Sequence, residues 1–206
     1  MKIAITGGAG YVGCRLSEQL LNRGHEVICI DWLKYGVQPI LNILDRKEFH
    51  LHKMDICDPG VDKIIDQADA VIHLAGIVGY PACDREPDLA YRVNVEGTNR
   101  VIDASKDKPF IYASTGSVYG ELGKTCDETC ETNPISTYSV YKLAGERYLE
   151  GSDAVMLSAE TAIGDNPNRV VEVMSMICAE TDSRNDTSSL LSKEDSKEDS
   201  ITTTLA

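Results

Sequence analysis

Short apolar runs alternate with amphipathic stretches through the first 115 residues of the chain. Most of the runs 2–6, 26–30, 49–53, 70–74 and 110–114 are rich in apolar residues, and their pattern predicts five strands. Residues 12–22, 61–67 and 89–105 repeat apolar side chains at helical spacing, which predicts intervening helices. This alternation is typical of an α/β protein with a Rossmann-type, doubly wound parallel sheet. Right-handed crossovers bring the strand carboxyl ends to one edge, where we expect a ligand to bind.

The pattern changes beyond residue 115. Residues 137–150 carry apolar or aromatic side chains at 138, 141, 144, 148 and 149, which predicts an amphipathic helix. A strand-like run follows at 154–157, and a helical run at 169–179. Residues 183–206 are mostly Ser, Thr, Asp, Glu and Lys, and so little apolar surface cannot offset the entropy lost on ordering. We therefore predict that this acidic tail is disordered.

Composition narrows the classes of protein. The 206 residues carry a net charge of −13, which disfavours binding to nucleic acid or to an anionic membrane. Neither a secretory leader nor an apolar span of membrane length is present, so we expect a cytoplasmic protein. The seven cysteines follow no paired framework and are predicted to be reduced thiols. Cys126 and Cys130 lack a second Cys or His pair, and we predict no metal site.

A glycine-rich turn lies between the first predicted strand and helix. Gly7, Gly10 and Gly13 occupy the positions at which a tight turn and close backbone approach let helix amides bind a pyrophosphate. Asp31 follows at the end of the second strand, where a carboxylate accepts hydrogen bonds from an adenosine ribose. This carboxylate repels a 2′-phosphate, and Trp32 after it supplies no cation, so NAD is favoured over NADP. The proximity of Lys34 leaves NADP as the alternative.

A second constellation lies on the predicted helix 137–150. Tyr138 and Lys142 are four residues apart and share one helix face. A nearby ammonium stabilises a phenolate and lowers the tyrosine pKa, so that Tyr138 can serve as a general base. The pair is common on helix surfaces, but here it follows a fifth strand that ends in Ser114-Thr115-Gly116-Ser117-Val118-Tyr119-Gly120.

With these motifs in order, residues 1–150 resemble the N-terminal part of an extended short-chain dehydrogenase/reductase, the NAD-dependent epimerase/dehydratase family that acts largely on nucleotide sugars. By this resemblance Thr115 hydrogen bonds the reacting hydroxyl, Tyr138 removes its proton, and Lys142 binds the nicotinamide ribose while hydride passes to NAD. The implied cofactor-binding residues are Gly7, Gly10, Tyr11, Val12, Gly13, Asp31, Asp55, Ile56, Leu74, Ala75, Gly76, Asn94, Ser114, Tyr138 and Lys142.

Several finer assignments remain open at the level of sequence. Gly116-Ser117 stands where the dehydratase branch has Asp-Glu, which leaves an epimerase or a simple oxidoreductase. We interpret His73 as a strand-end residue near the cofactor rather than a catalyst. Ser117 could contact substrate or cap local backbone, and residues 79–83 could line the substrate site or form a plain loop.

The family resemblance stops after Glu150. Residues 151–182 resemble the last strand and helix of the pyruvate kinase barrel, without that family's catalytic machinery, so kinase activity is not expected. We therefore predict a truncated Rossmann domain (1–150) without a C-terminal substrate domain, a barrel fragment (151–182) and the tail. Residues 154–157 could dock as a sixth strand or stay unpaired.

Three functions are compatible with this organisation. The first is an NAD-dependent nucleotide-sugar epimerase or oxidoreductase, impaired by loss of the substrate domain. The second is a non-catalytic NAD-binding module, and the third is a chimeric product without a selected function. The resemblance also implies a homodimer through the Tyr/Lys helix, which is shortened here.

Overall fold

The computed structural model describes residues 1–121, 127, 129–158 and 202–205. Their backbone forms one seven-stranded sheet in the order β3-β2-β1-β4-β5-β6-β7. The strands are β1 (Lys2–Thr6), β2 (Glu26–Asp31), β3 (Phe49–Lys53), β4 (Ala70–His73), β5 (Phe110–Ser114), β6 (Val155–Ser158) and β7 (Thr202–Leu205). The first six run parallel to one another, and the order reverses direction between β1 and β4. This confirms the predicted Rossmann-type, doubly wound sheet.

Helices cover both faces of the sheet, as parallel strands require. They are α1 (Tyr11–Asn22), α2 (Val61–Ile65), α3 (Tyr80–Arg85), α4 (Pro87–Tyr91), α5 (Thr98–Ala104) and α6 (Thr137–Tyr148). A π-helical segment, Arg92–Gly97, joins α4 to α5. The helical region predicted over 89–105 therefore begins earlier, at Pro87, and has a wider π-helical turn in its middle. None of the helices in the described ranges is both long and apolar enough to cross a membrane.

Alternation along the strands divides the core between the two sheet faces. On β1, Ile3 and Ile5 join one apolar cluster with α1, while Ala4 joins the cluster on the opposite face. All three side chains are fully buried, because β1 is an interior strand that is covered on both faces. This explains why the strand lacks the polar alternation of a strand with one face in water.

Strand β6 lies in the segment that follows Glu150. It pairs in parallel with β5, from Ile111↔Val155 to Ser114↔Ser158. Val155 and Leu157 pack into one core cluster and Met156 into the other, so this strand is buried on both faces. The docking of this run as a sixth strand, one of two alternatives at the level of sequence, is the one that the structure shows.

The prediction that the whole tail 183–206 is disordered is wrong for four residues. Thr202–Leu205 forms β7, antiparallel to β6. Threonine is β-branched and favours extended backbone, and β6 would otherwise present unpaired backbone groups at the sheet edge. The average composition of the tail hides this local preference. The predicted helix 169–179 and the remainder of the tail lie outside the described residues.

The cysteines also depart from prediction at one position. Cys14, Cys29, Cys57 and Cys83 are free thiols, as expected. Cys130, however, is disulfide-bonded, so the prediction of reduced thiols throughout is wrong.

Candidate functional site: a dinucleotide cavity

A cavity of about 810 Å³ opens at the carboxyl ends of the parallel strands. Its position is the point where strand order reverses, at which doubly wound proteins bind their ligands. Every residue that the sequence nominated, apart from Asn94, lines this one cavity. Its wall thus joins the glycine-rich turn, Asp31, the turns after β3 and β4, the end of β5, and the Tyr138–Lys142 pair.

The glycine-rich turn approaches its neighbours too closely for side chains. Gly7 has φ +73°, and a Cβ there would lie 2.8 Å from the backbone nitrogen of Ala75. The amide of Gly10 donates to the carbonyl of Gly7 (3.0 Å), and α1 begins directly afterwards at Tyr11. The first amides of α1 have no partner within the helix and point their positive dipole towards the cavity edge. This end of the cavity can therefore accept an anionic pyrophosphate.

Two backbone amides fix the carboxylate of Asp31. Ala9 N donates to its Oδ2 (3.1 Å) and Leu33 N donates to its Oδ1 (2.7 Å). Each carboxylate oxygen retains a lone pair for a ribose hydroxyl. Lys34 is paired with Glu86, at 3.3 Å between Nζ and Oε2, and its Nζ lies 5.4 Å from the ring centroid of Trp32. The only cation near Asp31 in sequence is thus already neutralised, which favours NAD over NADP.

Asp55 and Ile56 form the far wall. Oδ1 of Asp55 accepts from the amide of Cys57 (2.9 Å), and Oδ2 accepts from the guanidinium of Arg92 (2.7 Å). Burial acts to raise the pKa of Asp55, but these two donors outweigh it and hold the pKa below its usual value. Asp55 is therefore an acceptor, as an exocyclic adenine amine requires.

Asn94 does not reach the cavity wall. Its Oδ1 accepts from Ile77 N (2.7 Å) and its Nδ2 donates to Ile77 O (2.9 Å), so the amide closes on the turn after β4. A Cβ on Gly76 would lie 3.1 Å from the same Oδ1. Asn94 thus shapes the Leu74–Gly76 wall from behind, because it lies in the π-helical segment below the turn. The contact of Asn94 with the cofactor stays a prediction, and the structure shows this side chain holding the turn after β4.

The end of β5 contributes three hydroxyl residues to the wall: Ser114, Thr115 and Ser117. Thr115 begins a short 3₁₀ turn, and its Oγ1 accepts from the amide of Ser117 (3.3 Å). Both Ser114 and Thr115 are buried. Ser117 therefore takes part in local capping through its backbone while also lining the cavity.

The segment 79–83 turns from loop into helix. Gly79, with φ +84°, precedes α3, and both Gly79 and Tyr80 line the cavity. Cys83 is fully buried beneath them. The start of this segment therefore belongs to the cavity wall and its end to the core.

Helix α6 carries Tyr138 and Lys142 to the opposite wall. A capping box fixes its start: Ser139 N donates to Ser136 Oγ (3.2 Å) and Ser136 N donates to Ser139 Oγ (3.1 Å). Lys142 is only 5% exposed, and its Nζ donates to Ala113 O at 2.6 Å. Burial lowers the pKa of Lys142 to about 8, although the charge of Glu146 opposes that change.

His73 lies behind the wall. Its ring is fully buried and bridges Thr6 Oγ1 (2.6 Å) and Thr98 Oγ1 (3.0 Å). Burial, and secondarily the charge of Lys142, lowers the pKa of His73 to about 3, so the ring is neutral at physiological pH. The structure thus supports the interpretation of His73 as a strand-end residue.

Sequence reasoning missed two groups of residues at this site. Tyr35, Val78 and Ser136 line the cavity, but they lie in turns whose course no periodicity predicts. Glu146 contacts Ser114 from α6. Glu146 follows Lys142 by four residues, and this spacing was the available sign that the two side chains share one helix face.

Comparison with known proteins shows which protein family the chain belongs to. A model of the NAD dependent epimerase/dehydratase family matches residues 3–189. The chain belongs to this family. The match continues past Glu150, so the prediction that the family resemblance stops at that residue is wrong.

Individual relatives agree with this assignment. The chain is 32% identical over 158 residues to an uncharacterized UDP-glucose epimerase of Bacillus subtilis, covering 71% of this chain and 50% of that protein. It is 35% identical over 153 residues to D-erythronate dehydrogenase of Haemophilus influenzae, covering 69% and 47%. The UDP-glucose 4-epimerase of Thermus thermophilus, solved in complex with NAD, superposes with a TM-score of 0.68 at 30% identity, covering 76% and 54%. The chain therefore spans about half the length of these relatives.

Proposed function

We propose that this chain binds NAD and carries the hydride- and proton-transfer site of a nucleotide-sugar epimerase or oxidoreductase. One observation carries the proposal: the glycine-rich turn and the Tyr138–Lys142 pair face one cavity of about 810 Å³. The fit to a dinucleotide rests on the hydrogen-bond donors and acceptors described above. Backbone amides at the start of α1 suit the pyrophosphate, Asp31 the adenosine ribose, and Asp55 the adenine.

The chemistry at the other end follows from the side chains of the chain itself. NAD, when bound, supplies the acceptor for a hydride from a substrate carbon. Lys142 holds an ammonium near the ribose, and its charge favours the phenolate of Tyr138. Tyr138 then takes the proton of the substrate hydroxyl, and Thr115 orients that hydroxyl with a hydrogen bond. Ser114, beside Thr115, offers a further hydroxyl to the nicotinamide half.

Tryptophan fluorescence tests NAD binding directly. Trp32 is the single tryptophan of the chain and lines the cavity, so its emission should respond when NAD binds. Gly10→Val places a side chain where the pyrophosphate approaches, and we expect the response to disappear. Tyr138→Phe removes only the phenol oxygen, and we expect binding within about twofold of wild type. Unchanged emission and unfolding temperature of the wild type at millimolar NAD would refute the proposal.

A second candidate function is an NAD-binding module without sugar turnover. Within the described ranges, Lys142 is the sole cation that lines the cavity. A nucleotide sugar carries a diphosphate that needs its own cations or amide donors, and the start of α1 can serve only one such group. We therefore expect epimerisation or oxidation of UDP- and GDP-sugars by the 206-residue chain to be slow or absent. Epimerisation within about tenfold of a full-length relative would favour the first candidate.

We also propose that residues 151–182 descend from a pyruvate-kinase-like barrel. The proposal is supported by the sequence Gly-Ser-Asp-Ala-Val-Met-Leu-Ser-Ala-Glu-Thr-Ala at 151–162. The family model, which matches as far as residue 189, favours the other origin, common descent with the rest of the chain. Sequencing of the transcript across codons 150 and 151 decides between a natural fusion and an artefactual join. A continuous transcript in independent isolates would establish the fusion as natural.

A further inference from the structure

Glu146 lies on α6, one turn beyond Lys142, and does not line the cavity. It is half-buried, and its Oε1 accepts a hydrogen bond from the hydroxyl of Ser114. Burial raises the pKa of Glu146, while the Ser114 hydroxyl and the charge of Lys142 act in the opposite direction. Packing alone does not require a carboxylate here, because Leu or Met would fill the same volume without desolvating a charge.

The bond to Ser114 fixes the role of that hydroxyl. Ser114 is the last residue of β5, is 5% exposed and lines the cavity beside Thr115. A serine hydroxyl has one proton, and here the carboxylate of Glu146 accepts it. The hydroxyl therefore presents acceptor lone pairs to any further partner, which suits a donor such as a ribose hydroxyl.

Glu146 also acts on Lys142. The Lys142 ammonium is buried, donates to the carbonyl of Ala113, and lies 4.6 Å from the ring centroid of Tyr112. The titratable groups around it are His73 on β4, Tyr112 on β5, Cys83 on α3, and Tyr138 and Glu146 on its own helix. At neutral pH His73, Tyr112 and Cys83 are uncharged, since burial disfavours their charged forms. Glu146 lies one helical turn beyond Lys142, and its negative charge favours the ammonium form of Lys142.

We propose that Glu146 is a positioning residue for the nicotinamide half of the site. Its carboxylate keeps Lys142 in the ammonium form and holds the Ser114 hydroxyl as an acceptor. This inference rests on the proposed NAD site, but its first test needs no NAD.

The first test measures the ionisation of Lys142 in the full, NAD-free chain. Competitive acylation of lysine amines over pH 6–11, resolved by peptide mass spectrometry, gives the midpoint for each lysine. We expect the Lys142 midpoint near 8 in the wild type. In Glu146→Gln it should fall by about one pH unit, the lower end of the effect of a neighbouring charge. Glu150→Gln, which removes an exposed charge just beyond α6, should leave it unchanged.

A conservative variant of Glu146 separates the effect of its charge from the effect of its packing. Glu146→Asp retains the carboxylate, so the Lys142 midpoint should stay within about 0.3 pH unit of the wild type, well short of the shift a lost charge causes. Should Glu146→Gln fail to fold, Glu146→Met serves as the second variant, because its unbranched apolar side chain fills a similar volume. A Lys142 midpoint that is unchanged in the folded Gln or Met variant would overturn the proposal.

The second test measures NAD binding through Trp32 emission at two pH values. At pH 6 Lys142 is protonated in both proteins, and we expect Glu146→Gln to bind NAD within twofold of wild type. At pH 8 the ammonium fraction is about one half in the wild type and about one tenth in the variant, so binding should weaken about fivefold. Equal weakening at both pH values would contradict a role through Lys142.

The two tests distinguish the possible failures. A wild type that does not bind NAD refutes the proposed function, while the Lys142 midpoint still reports on Glu146. Normal NAD binding with an unshifted midpoint refutes only the inference about Glu146.

Discussion

Gly13→Ala should destabilise the fold without altering any side chain that contacts a ligand. A Cβ at Gly13 would lie within 3.0 Å of Gly7 O, Gly8 Cα and Gly8 C. All three are backbone atoms of the glycine-rich turn, which is itself held by the bond from Gly7 N to Ile30 O at 2.8 Å. No side-chain rotation can relieve the contact, so either the turn or the first turn of α1 must move.

Overpacking of this kind costs about 1–3 kcal/mol, and the upper end applies because rigid backbone must shift. For a chain of this size, about 3 kcal/mol lowers the unfolding temperature by roughly 6–12 °C. Gly10→Ala is the matched control. Its Cβ would meet only Gly7 O, at 3.2 Å, and the extended backbone of Gly10 suits any residue. We expect the control to cost about 1 kcal/mol or less, the value of an unfavourable N-cap.

Thermal unfolding by circular dichroism, with and without NAD, measures both quantities. NAD at 100 times its dissociation constant stabilises the native state by about 2.7 kcal/mol, and we expect this increment to be lost in Gly13→Ala. Equal unfolding temperatures for Gly13→Ala and Gly10→Ala would refute the close approach of α1 to the turn.

Three further predictions concern stability. Gly145→Ala would place a Cβ 2.5 Å from the hydroxyl of Tyr112. We expect this overpacking to lower the free energy of unfolding, measured by urea denaturation, by about 1–3 kcal/mol. In a double-mutant cycle, Tyr112→Phe removes that hydroxyl and should recover part of the lost stability. His73 has a folded pKa of about 3 against 6.5 unfolded, so the unfolded state binds more protons between these values and stability falls as pH falls from 6.5. His73→Asn should flatten this slope in urea titrations from pH 4 to 7, and an unchanged slope would contradict a neutral His73. Asp107 is exposed with φ +67°, so Asp107→Gly should raise stability by about 0.5 kcal/mol, and a lower unfolding temperature would argue against strain there.

Much of the fold was predictable because local patterns and global topology agree. The bounds of β1, β3 and β5 match the predicted strands, and β1 and β5 are apolar runs closed by a polar or glycine-rich turn. Likewise, the turn after β1 and the pair Tyr138–Lys142 were found from their spacing together with their position after predicted strands, because their function requires both. The hydrogen bonds between the Asn94 amide and Ile77 could not be predicted, since no spacing rule says that a π-helical segment turns this side chain towards Ile77.

The sequence by itself therefore determined the class of fold and the family, and it predicted many of the residues that line the cavity. These properties depend on contacts within one turn, one strand or one helix, which short patterns encode. Only the tertiary structure decided that β6 pairs with β5, that Thr202–Leu205 closes the sheet edge, and that Glu146 reaches Ser114. Each of these contacts joins segments that are more than 30 residues apart, and their formation depends on which surfaces the packed core leaves adjacent.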